Sequence, residues 1–88
     1  MAIKSKQGTA RKRVDDVIHA FKSGLKLDNG EIDRNSLSFI AAMQLQAQSR
    51  AESKAIAHGC YMHVAEQLGD EEAYRKHANI YKRARRWL

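Results

Sequence analysis

The chain has 88 residues, of which 43% are hydrophobic and 30% are charged, and its net charge at neutral pH is +6. This length suits one domain with a small core, and it leaves little room for the deep pocket of a typical enzyme, while the hydrophobic fraction argues against a disordered chain. No apolar run approaches the roughly 18 residues that span a bilayer, and no signal-peptide pattern follows the polar start, so we expect a cytoplasmic protein without a membrane partner.

The first predicted helix spans residues 10–24. Apolar side chains recur along it at helical spacing, namely Val14, Val17, Ile18, Phe21 and Leu25. Thr9 is a candidate N-cap, and Gly24 lies where the helix should end. Residues 1–9, which come before it, are predicted to form a flexible basic arm.

A turn is predicted after the first helix. Asp28, Asn29 and Gly30 are residue types that favour turns, and they lie between Leu27 and Ile32. We therefore expect a loop or a miniature hairpin that separates the first helix from the second.

The second predicted helix begins at Asn35 or Ser36, either of which can serve as its N-cap. Its inward side is rich in alanine, and small side chains let a neighbouring helix approach closely, so we expect it to be the central helix. One glycine inside a helix costs only about 1 kcal/mol relative to alanine, so we expect the helix to run unbroken from residue 36 to residue 68, past Gly59. The alternative is a sharp break at Gly59, which would give four helices and bring both chain ends to one end of the bundle.

Gly69 and Asp70 mark the next boundary. Gly69 can end one helix and Asp70 can cap the next, with Glu71 and Glu72 in its first turn. The last helix should span residues 71–87. Because the chain also lacks proline, the sequence predicts an all-α fold, a compact bundle of three or four helices with a long alanine-rich central helix, as a single domain over residues 1–88.

Charge is distributed unevenly along the chain. All ten acidic residues lie between Asp15 and Glu72, whereas residues 1–13 and 73–88 hold eleven basic residues and no acidic one. Local fields of this kind steer a protein toward a polyanion. We predict phosphate contacts by basic residues of the two ends, with base stacking by the neighbouring tryptophan. The predicted contact residues are Arg11, Lys12, Arg13, Arg75, Lys82, Arg83, Arg86 and Trp87.

Ala65, Leu68 and Gly69 lie at the spacing of the small residue, the core residue and the turn glycine of a known DNA-binding motif. In this respect the segment 64–77 resembles a helix-turn-helix. Its second half departs from the motif, because Asp70 and Arg75 stand where apolar residues normally pack. An ordinary helical hairpin is the alternative interpretation.

Candidate metal ligands and nucleophiles are few, and they are His58, Cys60, His63 and His77. Their spacing matches no established zinc pattern, and nothing near Cys60 in the sequence supplies an oxyanion stabiliser for a cysteine and histidine nucleophilic pair. Cys60 is also the only cysteine, so no intrachain disulfide can form. We therefore predict no catalytic residue, no metal and no cofactor.

These observations predict a non-catalytic basic helical module that associates with nucleic acid through phosphate contacts, without a small-molecule substrate. The alternative is a small protein-binding adaptor, inhibitor or assembly subunit, whose basic ends dock on an acidic protein surface and whose alanine-rich face pairs with a partner helix or a second copy. Exposure of Phe39, Met43 and Leu45 together would favour this alternative, because a contiguous apolar patch marks an interface.

Overall fold

The computed structural model of the protein describes the backbone of residues 2–88 and the side chains of residues 9–88. This part of the chain forms an all-α bundle of four helices with one small β-hairpin, which confirms the predicted fold class. The elements in chain order are α1 (Ala2–Gly24), β1 (Leu27–Asp28), β2 (Glu31–Ile32), α2 (Arg34–Gln46), α3 (Arg50–Leu68) and α4 (Glu71–Arg85). None of the helices in the described chain has both the length and the apolarity that crossing a bilayer requires.

The first helix begins earlier than expected, at Ala2 rather than near residue 10. Thr9 is therefore an interior residue of α1 and not its N-cap. Lysine, glutamine and alanine favour a helix in this stretch, and the cost of the single glycine, Gly8, is only about 1 kcal/mol. The side chains of residues 1–8 lie outside the described part of the chain, so the flexible basic arm over residues 1–9 stays a prediction.

The predicted turn after α1 is a miniature antiparallel hairpin. Leu27 pairs with Ile32, and the two residues between the strands, Asn29 and Gly30, have positive φ angles of 53° and 81°. Asparagine followed by glycine is the preferred pair for this type of two-residue turn. Because Ile32 packs against the buried cluster that contains Phe21, the hairpin is anchored to the core.

The second helix begins with Asp33 at the N-cap position, rather than with Asn35 or Ser36. Ser36 is buried, and its hydroxyl accepts a hydrogen bond from the backbone N–H of Lys26 at 3.3 Å. This serine therefore ties α2 to the segment before the hairpin instead of capping the helix.

The expectation of one unbroken helix from residue 36 to residue 68 is wrong. The chain leaves the helical conformation at Ala47 and enters α3 at Arg50. The hydroxyl of Ser49 caps α3 by accepting a hydrogen bond from the backbone N–H of Glu52 at 3.1 Å. A serine three residues before a glutamate is a known signal for the start of a helix. Gly59 lies inside α3, as expected.

The third and fourth helices form an antiparallel hairpin that is closed at Gly69. Gly69 is in the left-handed conformation with a φ angle of 72°, and the Asp70 side chain accepts a hydrogen bond from the backbone N–H of Ala73 at 3.0 Å. Both predicted roles are confirmed. Contacts continue along the two helices, where His58 meets His77. This side-by-side packing is an ordinary helical hairpin, not the crossed arrangement of a helix-turn-helix.

The central helix is α3, which packs against each of the other three helices. Two clusters of buried side chains surround it. The first consists of Val14, Ala55, Ile56, Ala84 and Leu88, and the second of Phe21, Ile40, Ala57 and Cys60. The apolar stripe predicted for α1 contributes to both clusters, which places α1 along the hairpin of α3 and α4.

Gly59 allows α1 and α4 to approach α3 closely. A methyl group at its Cα would overlap Cδ1 of Ile18 on α1 and would lie 3.2 Å from Cε1 of Tyr81 on α4. Packing, and not backbone conformation, therefore favours glycine at this helical position, since any larger side chain would displace Ile18 and Tyr81.

Replacing Gly59 by alanine should lower the free energy of unfolding by about 1–2 kcal/mol, because overpacking against Ile18 and Tyr81 outweighs the better helix propensity of alanine. Urea unfolding followed by circular dichroism measures the change. Gly24→Ala is the matched control, since a methyl group there meets no atom within 4 Å, and it should not destabilise the protein. Adding Ile18→Val, which removes the overlapping Cδ1 atom, should restore part of the loss. A Gly59→Ala protein as stable as the wild type would contradict the close packing.

Candidate nucleic-acid interface

The register of the α3–α4 hairpin determines which basic residues meet. Because the helices are antiparallel and His58 lies opposite His77, the first turns of α3 lie beside the last turns of α4. Arg50 and Lys54 therefore come close to Arg83, although about thirty residues separate them along the chain.

These side chains line an open groove on one side of the hairpin, which we call the basic groove. Its volume is about 550 Å³, and its lining residues are Arg50, Ala51, Lys54, His58, Ile80, Arg83, Ala84 and Trp87. Three of them are cations, and none carries a carboxylate. A second depression of about 350 Å³ adjoins it at Arg83 and Trp87 and is also bordered by Arg86, so the positive surface continues past the end of α4.

The cations of the basic groove are available to solvent. Arg50, Lys54, Arg83 and Arg86 are all exposed, and none of them pairs with a carboxylate of the described residues. Unpaired cations along a groove raise the local positive potential, which attracts anions. Trp87 is 82% exposed, whereas tryptophan is on average a highly buried residue type.

Arg13, which the charge pattern predicts as a phosphate contact, is engaged within the bundle. Its Nη2 donates a hydrogen bond to Oε1 of Glu52 at 2.6 Å, and its Nε donates to Oε2 at 3.4 Å. These hydrogen bonds raise the pKa of Arg13. Glu52 is only 3% exposed, and a carboxylate buried to this degree needs such a partner. The observed contact therefore holds α1 against α3.

Arg85 also contacts α1 and does not line the basic groove. Its Nη1 and Nη2 donate to the two carboxylate oxygens of Asp15, at 2.5 and 3.2 Å, and the hydrogen bonding to Asp15 raises the pKa of Arg85. Arg83 and Arg85 are two residues apart, so their side chains point about 200° apart around the helix. Lys54 and Glu52 on α3 are also two residues apart, so their side chains likewise point to nearly opposite sides of the helix. The helix α1 therefore lies on one side of the hairpin, and the basic groove lies on the other.

Arg75 lies far from the basic groove, near the start of α4. It borders a separate depression together with Glu66, Asp70 and Glu71. Carboxylates in this depression offset its positive charge, so the surroundings of Arg75 are less favourable for a phosphate than those of Arg83.

The remaining predicted residues do not line the basic groove or the adjoining depression. Arg11 and Lys12 are exposed on α1, away from the basic groove, and Lys82 is exposed on α4. Of the predicted set, the residues that the structure brings together at the groove and its rim are Arg83, Arg86 and Trp87. The basic residues described on α1 therefore do not line the groove or its rim.

Arg50 and Lys54 are groove residues that the charge pattern does not single out. They lie in the middle of the chain, where ten acidic residues outnumber five basic ones. A signal was nevertheless present, because Arg50, Lys54 and His58 recur every four residues and so share one helix face. The Ser49 cap would have shown that they belong to the first turns of a helix.

His58 and His77 form a close pair between α3 and α4. Their Nδ1 atoms are 2.8 Å apart, which is a hydrogen-bond distance, and the ring of Tyr61 packs against both imidazoles. Burial lowers the pKa of both histidines, and the positive charges of His77 and Lys54 lower that of His58 further. Lys76 has the same effect on the pKa of His77.

Cys60, His58 and His63 do not converge in one cleft. Cys60 is fully buried in the core, and this burial raises the pKa of its thiol to about 12. His58 borders the basic groove, whereas His63 borders a small cavity of about 110 Å³ on another side of α3. Within the described residues, no three histidine, cysteine or acidic side chains are arranged to hold a metal ion.

Comparison of the chain with protein-family models, with curated proteins and with solved structures finds no match. Its function is therefore argued from its own residues.

Arg13→Gln should lower the Tm by several degrees, because it leaves the buried carboxylate of Glu52 without a cationic partner. Thermal unfolding followed by circular dichroism measures the effect. Arg11→Gln is the matched control, because Arg11 is exposed on the same helix and none of the described carboxylates pairs with it, so its Tm should stay within about 1 °C of the wild type. Equal Tm values for the two variants would contradict a structural role for the Arg13–Glu52 pair.

Proposed function

We propose that the protein is a non-catalytic module that associates with nucleic acid through backbone phosphates bound in the basic groove. The observation that supports this proposal is the lining of the groove, where Arg50, Lys54 and Arg83 stand without a carboxylate. Arg86 extends the positive surface at one end of the groove. Arginine and lysine are the residues that most often bind backbone phosphates.

Binding of this kind is electrostatic and insensitive to base sequence. Each phosphate that a cation neutralises releases counterions, so log affinity falls with log salt concentration with a slope of about 0.9 per phosphate for duplex DNA and about 0.7 for single strands. If all four cations of the groove and its rim, Arg50, Lys54, Arg83 and Arg86, each bind one phosphate, the slope is about 3 to 4.

Trp87 favours a single-stranded partner over a duplex. Its indole ring is exposed at the junction of the basic groove and the adjoining depression, beside Arg83 and Arg86. An aromatic ring next to phosphate-binding cations can stack on the face of an unpaired base. A base inside a duplex is already stacked between its neighbours, so its face is not accessible to the ring. We therefore propose that phosphates lie along the cations while one base stacks on Trp87.

The proposal assigns no catalytic step to the protein, because the nucleophile candidate among the described residues does not face the groove. The nucleophile candidate, Cys60, is sealed in the core as a free thiol of raised pKa, and His63 faces a different cavity. A single buried thiol is also compatible with the reducing cytoplasm, which we propose as the location of the protein.

Arg83→Gln should weaken binding of a labelled oligothymidylate by about three- to tenfold at low salt and should reduce the salt slope by about one unit or slightly less, because one phosphate contact is lost. Fluorescence anisotropy over a salt series measures both quantities. Arg75→Gln is the matched control, since it makes the same change of charge on the same helix but outside the basic groove. It should change the affinity by less than about twofold.

Equal losses from Arg83→Gln and Arg75→Gln would contradict the assignment of binding to the groove. Absence of binding to any oligonucleotide at low salt would contradict nucleic-acid association itself. A loss of discrimination between base sequences after one substitution would also contradict the mechanism, because phosphate contacts carry no sequence information.

Trp87→Ala should weaken binding of single-stranded oligothymidylate by about five- to a hundredfold, which is the loss expected for one stacked base. Binding of a duplex of the same length should change little. Quenching of the tryptophan fluorescence on adding the single strand gives an independent readout, since Trp87 is the only tryptophan. Equal weakening for both nucleic acids would show that the ring does not stack on an unpaired base.

A protein-binding role is the second candidate, and one observation favours it. Leu37, Ala41 and Leu45 recur every four residues on the exposed face of α2, and Leu45 is 88% exposed. Phe39 and Met43, however, pack into the bundle, so the three residues named in the sequence-based criterion are not exposed together. The groove and its unpaired cations therefore favour nucleic acid over a protein adaptor.

A further inference from the structure

The His58–His77 pair borders the basic groove. His58 lines the groove, and its Nδ1 lies 2.8 Å from Nδ1 of His77. At this distance one ring donates a hydrogen bond to the other, so only one of the two Nδ1 atoms carries a proton.

A pair of this kind accepts one proton without coming apart. In the neutral pair, the donor ring carries its proton on Nδ1 and its Nε2 is free. A proton from solvent that binds this Nε2 makes the donor ring an imidazolium and leaves the hydrogen bond between the Nδ1 atoms intact, now as a charge-assisted bond. A second proton would have to bind the remaining Nδ1, where two N–H groups would face each other. The pair therefore gains one charge before its geometry changes.

The charged groups around the pair are mainly cations. Lys54 on α3 and Lys76 on α4 are the lysines whose charges lower the pKa of His58 and of His77, and Arg50 and Arg83 share the groove with His58. Tyr61 contacts both rings.

The charged residues of the neighbouring helix α1 face other partners. Arg13 forms an ion pair with Glu52, and Asp15 forms one with Arg85. The charge of Lys22 lowers the pKa of His63 and not that of His58 or His77. No residue of α2 lines the groove. None of the described carboxylates therefore holds the pair in its protonated form, and a bound polyanion would be the first negative partner that the pair meets.

We propose that the His58–His77 pair is a proton-operated control of the basic groove, which binds a polyanion more tightly once the pair has taken up one proton. This inference rests on the proposed function, since it concerns the same groove. The added imidazolium contributes one further cation to the wall formed by Arg50, Lys54 and Arg83.

The size and the direction of the effect follow from linkage. Because burial and the neighbouring positive charges lower the pKa of both histidines, the pair is neutral at the ordinary histidine pKa of about 6.5 and gains its charge only as the pH falls further below it. One added charge in a solvated groove corresponds to about a three- to tenfold gain in affinity and to a salt slope that is steeper by up to about one unit. Because linkage is reciprocal, bound polyanion should raise the titration midpoint of the pair by about half to one pH unit.

Anisotropy titrations of oligothymidylate at about pH 5.5 and about pH 7.5, at constant ionic strength, test the proposal. The wild type should bind about three- to tenfold more tightly at the lower pH. The double variant His58→Asn/His77→Asn, which keeps two hydrogen-bonding side chains but does not titrate in this range, should lose most of this difference. His19→Asn is the control, because His19 is an exposed histidine on α1, and it should behave as the wild type.

Each outcome of these titrations decides one question. An undiminished pH difference in the double variant overturns the inference but leaves the proposed function standing. If the wild type binds equally well at both pH values, the inference is likewise overturned and the proposed function stands. Absence of oligothymidylate binding at every pH, even at low salt, overturns the proposed function and this inference with it.

Nuclear magnetic resonance of the wild type provides a test that does not rely on the folding of a variant. The imidazole ¹⁵N shifts of His58 and His77 should titrate together, and adding oligothymidylate should raise their midpoint by about half to one pH unit. A midpoint of the pair that does not move, at an oligonucleotide concentration that saturates the protein, overturns the proposal.

Discussion

The antiparallel register of α3 and α4 is the constraint on which the basic groove depends. It is set where the chain reverses, because Gly69 adopts a left-handed conformation and Asp70 caps the following helix. A shift of one residue in this register would rotate the side chains of α4 by about 100° and would turn Arg83 away from Lys54. The contacts of Gly59 with Tyr81, and of His58 with His77, hold the same register further along the hairpin. The groove is thus a product of helix packing, not of a local run of basic residues.

The two sides of the hairpin differ in how charge is satisfied. On the side of α1, Glu52 and Arg85 each have a partner of opposite charge on α1. These ion pairs hold α1 against α3 and α4. On the other side, Lys54 and Arg83 have none among the described carboxylates. Because residues two apart on a helix point in nearly opposite directions, adjacent basic residues serve different purposes: Arg85 fixes the fold, and Arg83 remains available to a ligand. This separation allows a chain with ten acidic residues to present a groove free of carboxylates.

Local chemistry made much of the fold predictable. The helical class, the turn at Asn29 and Gly30, and the boundary at Gly69 follow from residue types whose backbone preferences are strong. The break between α2 and α3 was missed because alanine and glutamine at positions 47 and 48 are good helix formers, and only the Ser49 cap opposes them.

The candidate site was less predictable than the fold. End charge predicts Arg83, and the aromatic side chain beside it predicts Trp87. Arg50 and Lys54 reach the groove through tertiary register, and the pairing of Arg13 with Glu52 depends on contact between distant segments.

Cys60 carries a consequence for how copies of this protein could associate. Its side chain has no solvent exposure, and it lies among Phe21, Ile40 and Ala57 in the middle of the bundle. An oxidant can reach the sulfur only after the helices separate, and the raised pKa keeps it in the unreactive thiol form until then. Covalent dimers joined through this sulfur would therefore report unfolding, and any assembly of intact molecules must be held by reversible, noncovalent surfaces.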